Sequence, residues 1–152
     1  MTDKLKHNGP LAGIRVIDLT GMVFGPYATQ IMADMGADVI KIEKLPGGDD
    51  SRGYRDPQVN GVSAPFMMLN RNKRGMRLDL KQPEGVQLLL KLCETADVLV
   101  EGFRPGVMAR LGLGYDVASA RNPRLVYCSI SGYGQTGPLS QKAGHDLNYC
   151  GY

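Results

Sequence analysis

The chain has 152 residues, 43% hydrophobic and 22% charged, with 18 Lys and Arg against 15 Asp and Glu for a formal charge of +3. This is the profile of one soluble globular domain, since a chain of this size buries roughly two-thirds of the surface its unfolded form exposes. Disordered and collagen-like classes are excluded. The excess charge is small, the densest basic run is Arg71, Asn72, Lys73, Arg74, and Trp is absent, so a nucleic-acid partner is not expected.

Cys93, Cys128 and Cys150 are an odd number of cysteines, with neither the close pairs of a zinc site nor the density of a disulfide scaffold. A reduced, cytoplasmic setting without a metal is expected. The start MTDKLKHNG lacks the apolar core of a secretory signal, and no stretch reaches the roughly 20 apolar residues of a membrane span.

After a polar lead-in over residues 1–12, Ile14, Val16, Ile17 and Leu19 predict a buried strand ending at Thr20 and Gly21. Pro26 suits the first turn of a helix whose Ala28, Ile31, Met32 and Met35 recur at helical spacing. A second strand, DVIKIE, follows, so the order predicts a crossover unit with parallel strands. Residues 45–65 are rich in Gly, Asp, Arg, Pro and Asn and read as a long functional loop. A third strand is expected over Met76–Leu80 and a helix from Pro83, with Val86, Leu89, Leu90, Leu92 and Cys93 as its apolar face. A fourth strand, Asp97–Glu101, two short helices and a fifth strand, Leu125–Ile130, complete the series. The fold class is α/β, a Rossmann-like, mainly parallel sheet with flanking helices, in which ligands bind beyond the carboxyl ends of the strands.

Gly132, Gly134 and Gly137 spell G-x-G-x-x-G after a strand, but Pro138 and further loop follow where a dinucleotide fingerprint needs a helix. The pattern reads as a close-approach loop. No phosphate-loop or nucleophile-elbow motif occurs. His7 sits in the polar lead-in and is read as inert, whereas His145 follows a Gly-rich loop, and a neutral imidazole near pH 7 is a general base. Its neighbour Asp146 favours the positive end of a starting helix, so an N-cap Asp beside a surface His is the competing reading. Lys44, Lys81, Arg104 and Arg110 follow strands two, three and four, where they could hold an anionic, phosphate-rich ligand or be ordinary solvent-facing cations.

PLAGIRVIDLT, GPYATQIMADMGADVIKIEK, NRNKRGMRLDLKQPEG, ADVLVEGFRPGVMARLGLGYD, NPRLVYCSISGYGQTGP and GHDLNY, in order from Pro10 to Tyr152, closely resemble the family III CoA-transferases, a superfamily that includes the α-methylacyl-CoA racemases. The resemblance implies an enzyme acting on acyl-CoA thioesters, with CoA entering as part of the substrate rather than as a permanent cofactor. It implies that residues 13–152 are the incomplete, CoA-binding large domain, the second, small domain being absent from this chain. Relatives are well over twice as long and form interlocked homodimers, so a fragment is expected.

Carried over by position, the CoA contacts fall on Lys44, Leu78, Asp79, Lys81, Gly102, Phe103, Arg104 and Arg110. In racemases, the segment matching Gly144 to Tyr149, with Asn148, also lines the thioester site. Lys44 stands where many members have Arg, which keeps the charge and loses the bidentate fork. In the transferase branch Asp146 matches a carboxylate nucleophile that takes the acyl group as a mixed anhydride. In the racemase branch His145 matches one of two bases flanking the carbon next to the thioester carbonyl, the second base being an acidic residue beyond the position of Tyr152. Because GHD-x-NY resembles the racemase version, epimerisation of 2-methylacyl-CoA thioesters through an enolate is the leading expectation. CoA transfer between carboxylic acids is the alternative, and an inactive CoA-binding fragment is the third.

Overall fold

A computed structural model describes residues 8–54 and 57–151, apart from the Asp146 side chain; His7 and Tyr152 lie outside the described residues. Five parallel strands form the main sheet: β1 (Arg15–Leu19), β2 (Asp38–Glu43), β5 (Arg74–Arg77), β6 (Val98–Glu101) and β7 (Val126–Ser129). Their order is β5-β2-β1-β6-β7, so the chain steps outward from β1 in one direction and then in the other. Registers such as Ile17 opposite both Ile40 and Leu99 keep side chains of like parity on one face. The Rossmann-like expectation therefore describes the observed sheet.

The two faces differ. On one, Ile17, Leu19, Ile40, Ile42 and Leu99 pack against α3 (Pro83–Cys93) and α5 (Tyr115–Arg121) through Leu89, Leu90, Cys93 and Ala118. Pro83 starts α3 where its missing N–H costs nothing, and Glu84 and Lys91 complement the helix dipole at its two ends. On the other face Val16, Val39 and Val100 meet α1 (Phe24–Asp34) through Ala33 and are followed, toward the carboxyl ends, by Asp18 on β1 and by Lys41 and then Glu43 on β2.

Of the expected face of helix α1, Met32 alone packs against the sheet, partly buried, while Ala28, Ile31 and Met35 are exposed. The helix buries Gly25, Pro26, Thr29, Gln30 and Ala33, while Ile31 and Met35 join Phe24 and Tyr27 on the exposed side. Small side chains bring the helix close to the sheet, and Thr29 supplies a hydroxyl to the polar network beneath it.

Three boundaries depart from the sequence reading. The third sheet strand, β5, starts two residues and ends three residues earlier than expected, and Leu78 continues the ladder with its N–H donating to Glu43 O at 3.0 Å. The stretch read as unbroken loop contains a 3₁₀ turn, Asp50–Gly53, and a hairpin of β3 (Gln58–Val59) and β4 (Val62–Ser63). Asn60 and Gly61, with φ of 52° and 76°, form the two-residue turn that an Asn-Gly pair favours. Helix α2 (Ala64–Leu69) follows at once, with the Ser63 hydroxyl accepting from Phe66 N at 3.1 Å as its cap. The remaining helices are α4 (Val107–Arg110) and α6 (Asp146–Tyr149).

Candidate functional site

At the carboxyl edge of the sheet, a cavity of about 430 Å³ opens between the ends of β1, β2 and β5 and the start of α4. Gly21 and Met22 line one wall, Lys44 and Asp50 a second, Asp79 and Lys81 a third, and Phe103 a fourth. This is the position at which an open parallel sheet binds ligands, beside the strand where its order reverses. Lys44, Leu78, Asp79, Lys81 and Phe103 of the expected CoA positions thus come together in one place. The Lys44 ammonium rests on Asp50 at 2.6 Å, an exposed pair of the kind that contributes little stability.

Other expected residues lie apart. Arg104 is exposed and lines a separate cavity of about 510 Å³ together with Glu101, Tyr115, Tyr127, Ser129 and Gln135. Arg110 is exposed in the last turn of α4 and lines neither cavity. The four cations therefore do not form one cluster. Gly102 is next to Phe103, and a Cβ placed on it would stand 3.8 Å from the Thr20 methyl group.

Gly144, Asn148 and Tyr149 gather around His145. The His145 N–H donates to Asn148 Oδ1 at 2.9 Å, closing the first turn of α6, and the Tyr149 hydroxyl donates to Gly144 O at 2.7 Å. The Tyr133 and Tyr149 rings meet edge to face at 5.2 Å. Gly132 admits this packing, because a Cβ there would come within 2.2 Å of the Tyr149 hydroxyl. The His145 residue is exposed. The Gln141 side-chain amide donates to Pro105 O at 3.3 Å, tying this terminal segment to the loop after β6.

Sequence reasoning missed the polar network that floors the first cavity. Lys41 is 2% exposed; its Nζ donates to Thr20 O at 2.8 Å and pairs with Asp49 Oδ2 at 2.9 Å. The other Asp49 oxygen accepts from Ser51 N and Oγ at 2.9 and 2.7 Å and from Met22 N at 3.3 Å. Glu43 receives the Arg52 guanidinium in a two-point fork, at 2.6 and 2.7 Å, and accepts from Asp49 N at 2.9 Å. Arg52 also lies 3.9 Å over the Phe66 ring, which fixes α2 against this loop.

A second buried pair stands next to the first. Lys73 Nζ donates to Asp18 Oδ2 at 3.1 Å, Pro26 O at 2.9 Å, Thr29 Oγ1 at 2.8 Å and Asn70 Oδ1 at 3.0 Å. Burial drives the Lys73 ammonium down to about 8 despite Asp18 beside it. Burial pushes the Asp18 carboxyl up, but Lys73, Lys41 and the hydroxyls of Thr20 and Thr29 outweigh it and leave it below the ordinary aspartate value. Asp49 and Glu43 end lower than usual in the same way, against burial, through Lys41 with Ser51 and through Arg52 respectively. The signal for this network was present in DVIKIE: Val39, Lys41 and Glu43 share one face of a strand that is buried on both.

Burial pushes the Cys93 thiol up to about 11, so it behaves as a core side chain. Among the described residues, no group of three or more His, Cys, Asp or Glu is arranged to hold a metal, and no helix is long and apolar enough to cross a membrane.

A parallel α/β sheet with a cavity at its carboxyl edge places the chain in the doubly wound α/β class. Within that class the chain belongs to CoA-transferase family III, whose model matches residues 11–152. It is 47% identical over 152 residues to a succinate–glutarate CoA-transferase of Agrobacterium fabrum (strain C58), covering 96% of this chain and 38% of that protein. Identity to the mouse succinyl-CoA:glutarate CoA-transferase is 45% over 137 residues, covering 90% of this chain and 31% of the relative. A solved structure of a CAIB/BAIF family protein from Brucella suis matches with a TM-score of 0.87 at 42% identity, over 92% of this chain and 38% of that one. The chain thus spans about a third of the length of these relatives.

Proposed function

We propose that this chain forms the CoA-holding part of an enzyme that moves CoA between carboxylic acids. The observation that carries this reading is the carboxyl-edge cavity, which Lys44 and Lys81 line together with Phe103 and Leu78. Two cations in one cavity suit the phosphates of CoA, and the apolar groups that also line it suit the rest of the molecule. The similar proteins named as succinyl-CoA:glutarate and succinate–glutarate CoA-transferases favour transfer over the epimerisation expected from His145. That expectation is replaced here by its alternative.

In a transfer of this type a carboxylate oxygen attacks the thioester carbonyl carbon, the C–S bond breaks, and CoA leaves as the thiolate while the acyl group remains as a mixed anhydride. Asp146 is the sequence's candidate for that carboxylate. Replacing it by Asn tests the role: loss of transfer with CoA binding retained assigns it, and retained transfer shows that Asp146 is not the nucleophile.

Calorimetric titration of CoA into the 152-residue protein is the direct test. Binding is expected, weakened about fivefold by Lys44→Met and further by adding Lys81→Met. CoA binding indifferent to both lysines would overturn the reading. Incubating a 2-methylacyl-CoA in deuterated water should leave its α-proton in place, and His145-dependent deuteration would restore the racemase expectation.

A further inference from the structure

We infer that the buried Lys41–Asp49 pair is a positioning device for the cavity, setting the distance between the β1–α1 turn and the loop that carries Lys44. The inference rests on the reading that this cavity takes CoA. Lys41 projects from β2, which is paired on both sides and so is among the least movable parts of the sheet. From there one ammonium reaches two walls, Thr20 O at the end of β1 and Asp49 in the loop after β2. Asp49 closes the arrangement by accepting from Met22 N across the cavity floor, and a Cβ on Gly21 would stand 3.7 Å from its Oδ2.

Lys44 follows Asp49 because the segment between them is a closed loop. Gly48 N–H donates to Lys44 O at 3.2 Å, and Glu43 holds Asp49 N and Arg52 from the strand side. Gly48 has a φ of +84°, and a Cβ there would come within 2.5 Å of Glu43 Oε2, so this closure is specific to glycine. Moving Asp49 therefore moves Lys44. Stability alone is a poor reason for the pair, because buried ion pairs are commonly replaced by apolar residues of similar volume without loss. Lys41 and Asp49 are accordingly positioning residues, acting on the ligand through Lys44 and Met22.

A double-mutant cycle on CoA affinity tests this. Lys44→Met should weaken CoA binding about fivefold in the otherwise unchanged protein and less than about twofold in an Asp49→Asn background, where the loop no longer holds Lys44 in place. Equal effects in the two backgrounds would overturn the inference, since a residue that only supports the fold leaves the Lys44 contribution unchanged. A second variant, Lys41→Met with Asp49→Asn, removes the pair without leaving either charge and keeps the Oδ1 acceptor for Ser51 and Met22. It should melt near the unsubstituted protein and bind CoA about tenfold more weakly. Unchanged CoA affinity in that folded variant would also overturn the inference. Should Lys44→Met have no effect even in the otherwise unchanged protein, the CoA reading of the cavity fails, a result distinct from additivity in the cycle.

Discussion

The same strands build two unlike interiors. Ile17, Leu19, Ile40 and Ile42 face α3 and α5 in an apolar layer, while Asp18, Lys41 and Glu43, on the same strands with opposite parity, face α1 and the loop after β2. The apolar side gains stability from burial, at roughly 25 cal/mol per Å² removed from water. The polar side gains little net stability, because the cost of desolvating its charges nearly cancels their attraction. Its contribution is geometric. Directional bonds from Lys41 and Lys73 specify where the β1–α1 turn, α2 and the loop of Lys44 sit, which non-directional apolar contacts would leave loose.

The sharpest way to break this contrast is to remove one charge from the polar side. Lys73→Met leaves Asp18 buried and unpaired and should cost about 3–5 kcal/mol in urea unfolding. On the apolar side Leu89→Ala, at a fully buried position, should cost about 2–5 kcal/mol, and the loss should grow with the cavity left behind. The two sides separate when each is repaired: replacing Asp18 and Lys73 together by apolar residues should recover much of the loss, whereas no polar residue at position 89 should do so.

Removing the Ser63 hydroxyl, which caps α2 and also donates to Ser51 O at 2.5 Å, should cost about 1 kcal/mol in the same assay. Phe24→Gln should change stability by less than about 0.5 kcal/mol, since Phe24 is 62% exposed on the outer side of α1.

Acid should distinguish the faces as well. Asp18, Asp49 and Glu43 titrate lower in the folded chain than their ordinary values of 3.8, 3.8 and 4.5. The unfolded chain then binds more protons, so their contribution is fully present above those values and is lost as pH falls through the lower folded ones. Lys73 has the same sign at the other end. With its folded value near 8 against 10.5 unfolded, its own contribution rises with pH between the two. Unfolding midpoints measured across pH should therefore fall on the acid side of about 4, and the fall should shrink in the variant lacking both Asp18 and Lys73.

Much of the fold was legible in the residues. Short, mostly apolar runs placed β1, β2 and β6 within about a residue of their observed bounds, and Pro83 placed the start of α3, because period and punctuation are local properties. The hairpin was legible and overlooked: Asn60–Gly61 between Val59 and Val62 is a turn signal hidden in a Gly- and Asp-rich stretch. Helix α1 was misread for a different reason. Most of its large apolar residues mark the exposed side, while the buried side carries Gly25, Pro26 and Ala33, which bring Thr29 within reach of Asp18.

The site divides along the same line. By itself the sequence determined the parallel α/β class, the family resemblance and the placement of Lys44, Lys81 and Phe103 after successive strands, since strand ends fix which residues reach the carboxyl edge. Only the tertiary structure decided that Lys44 and Lys81 share a cavity while Arg104 and Arg110 stand outside it, and that Lys41, Lys73, Asp18 and Asp49 are buried together. Lys73 and Asp18 are 55 positions apart, and their pairing arises from the return of β5 to the edge of the sheet beside β2. No local pattern encodes such a meeting, because burial of a charge depends on what the rest of the chain places against it.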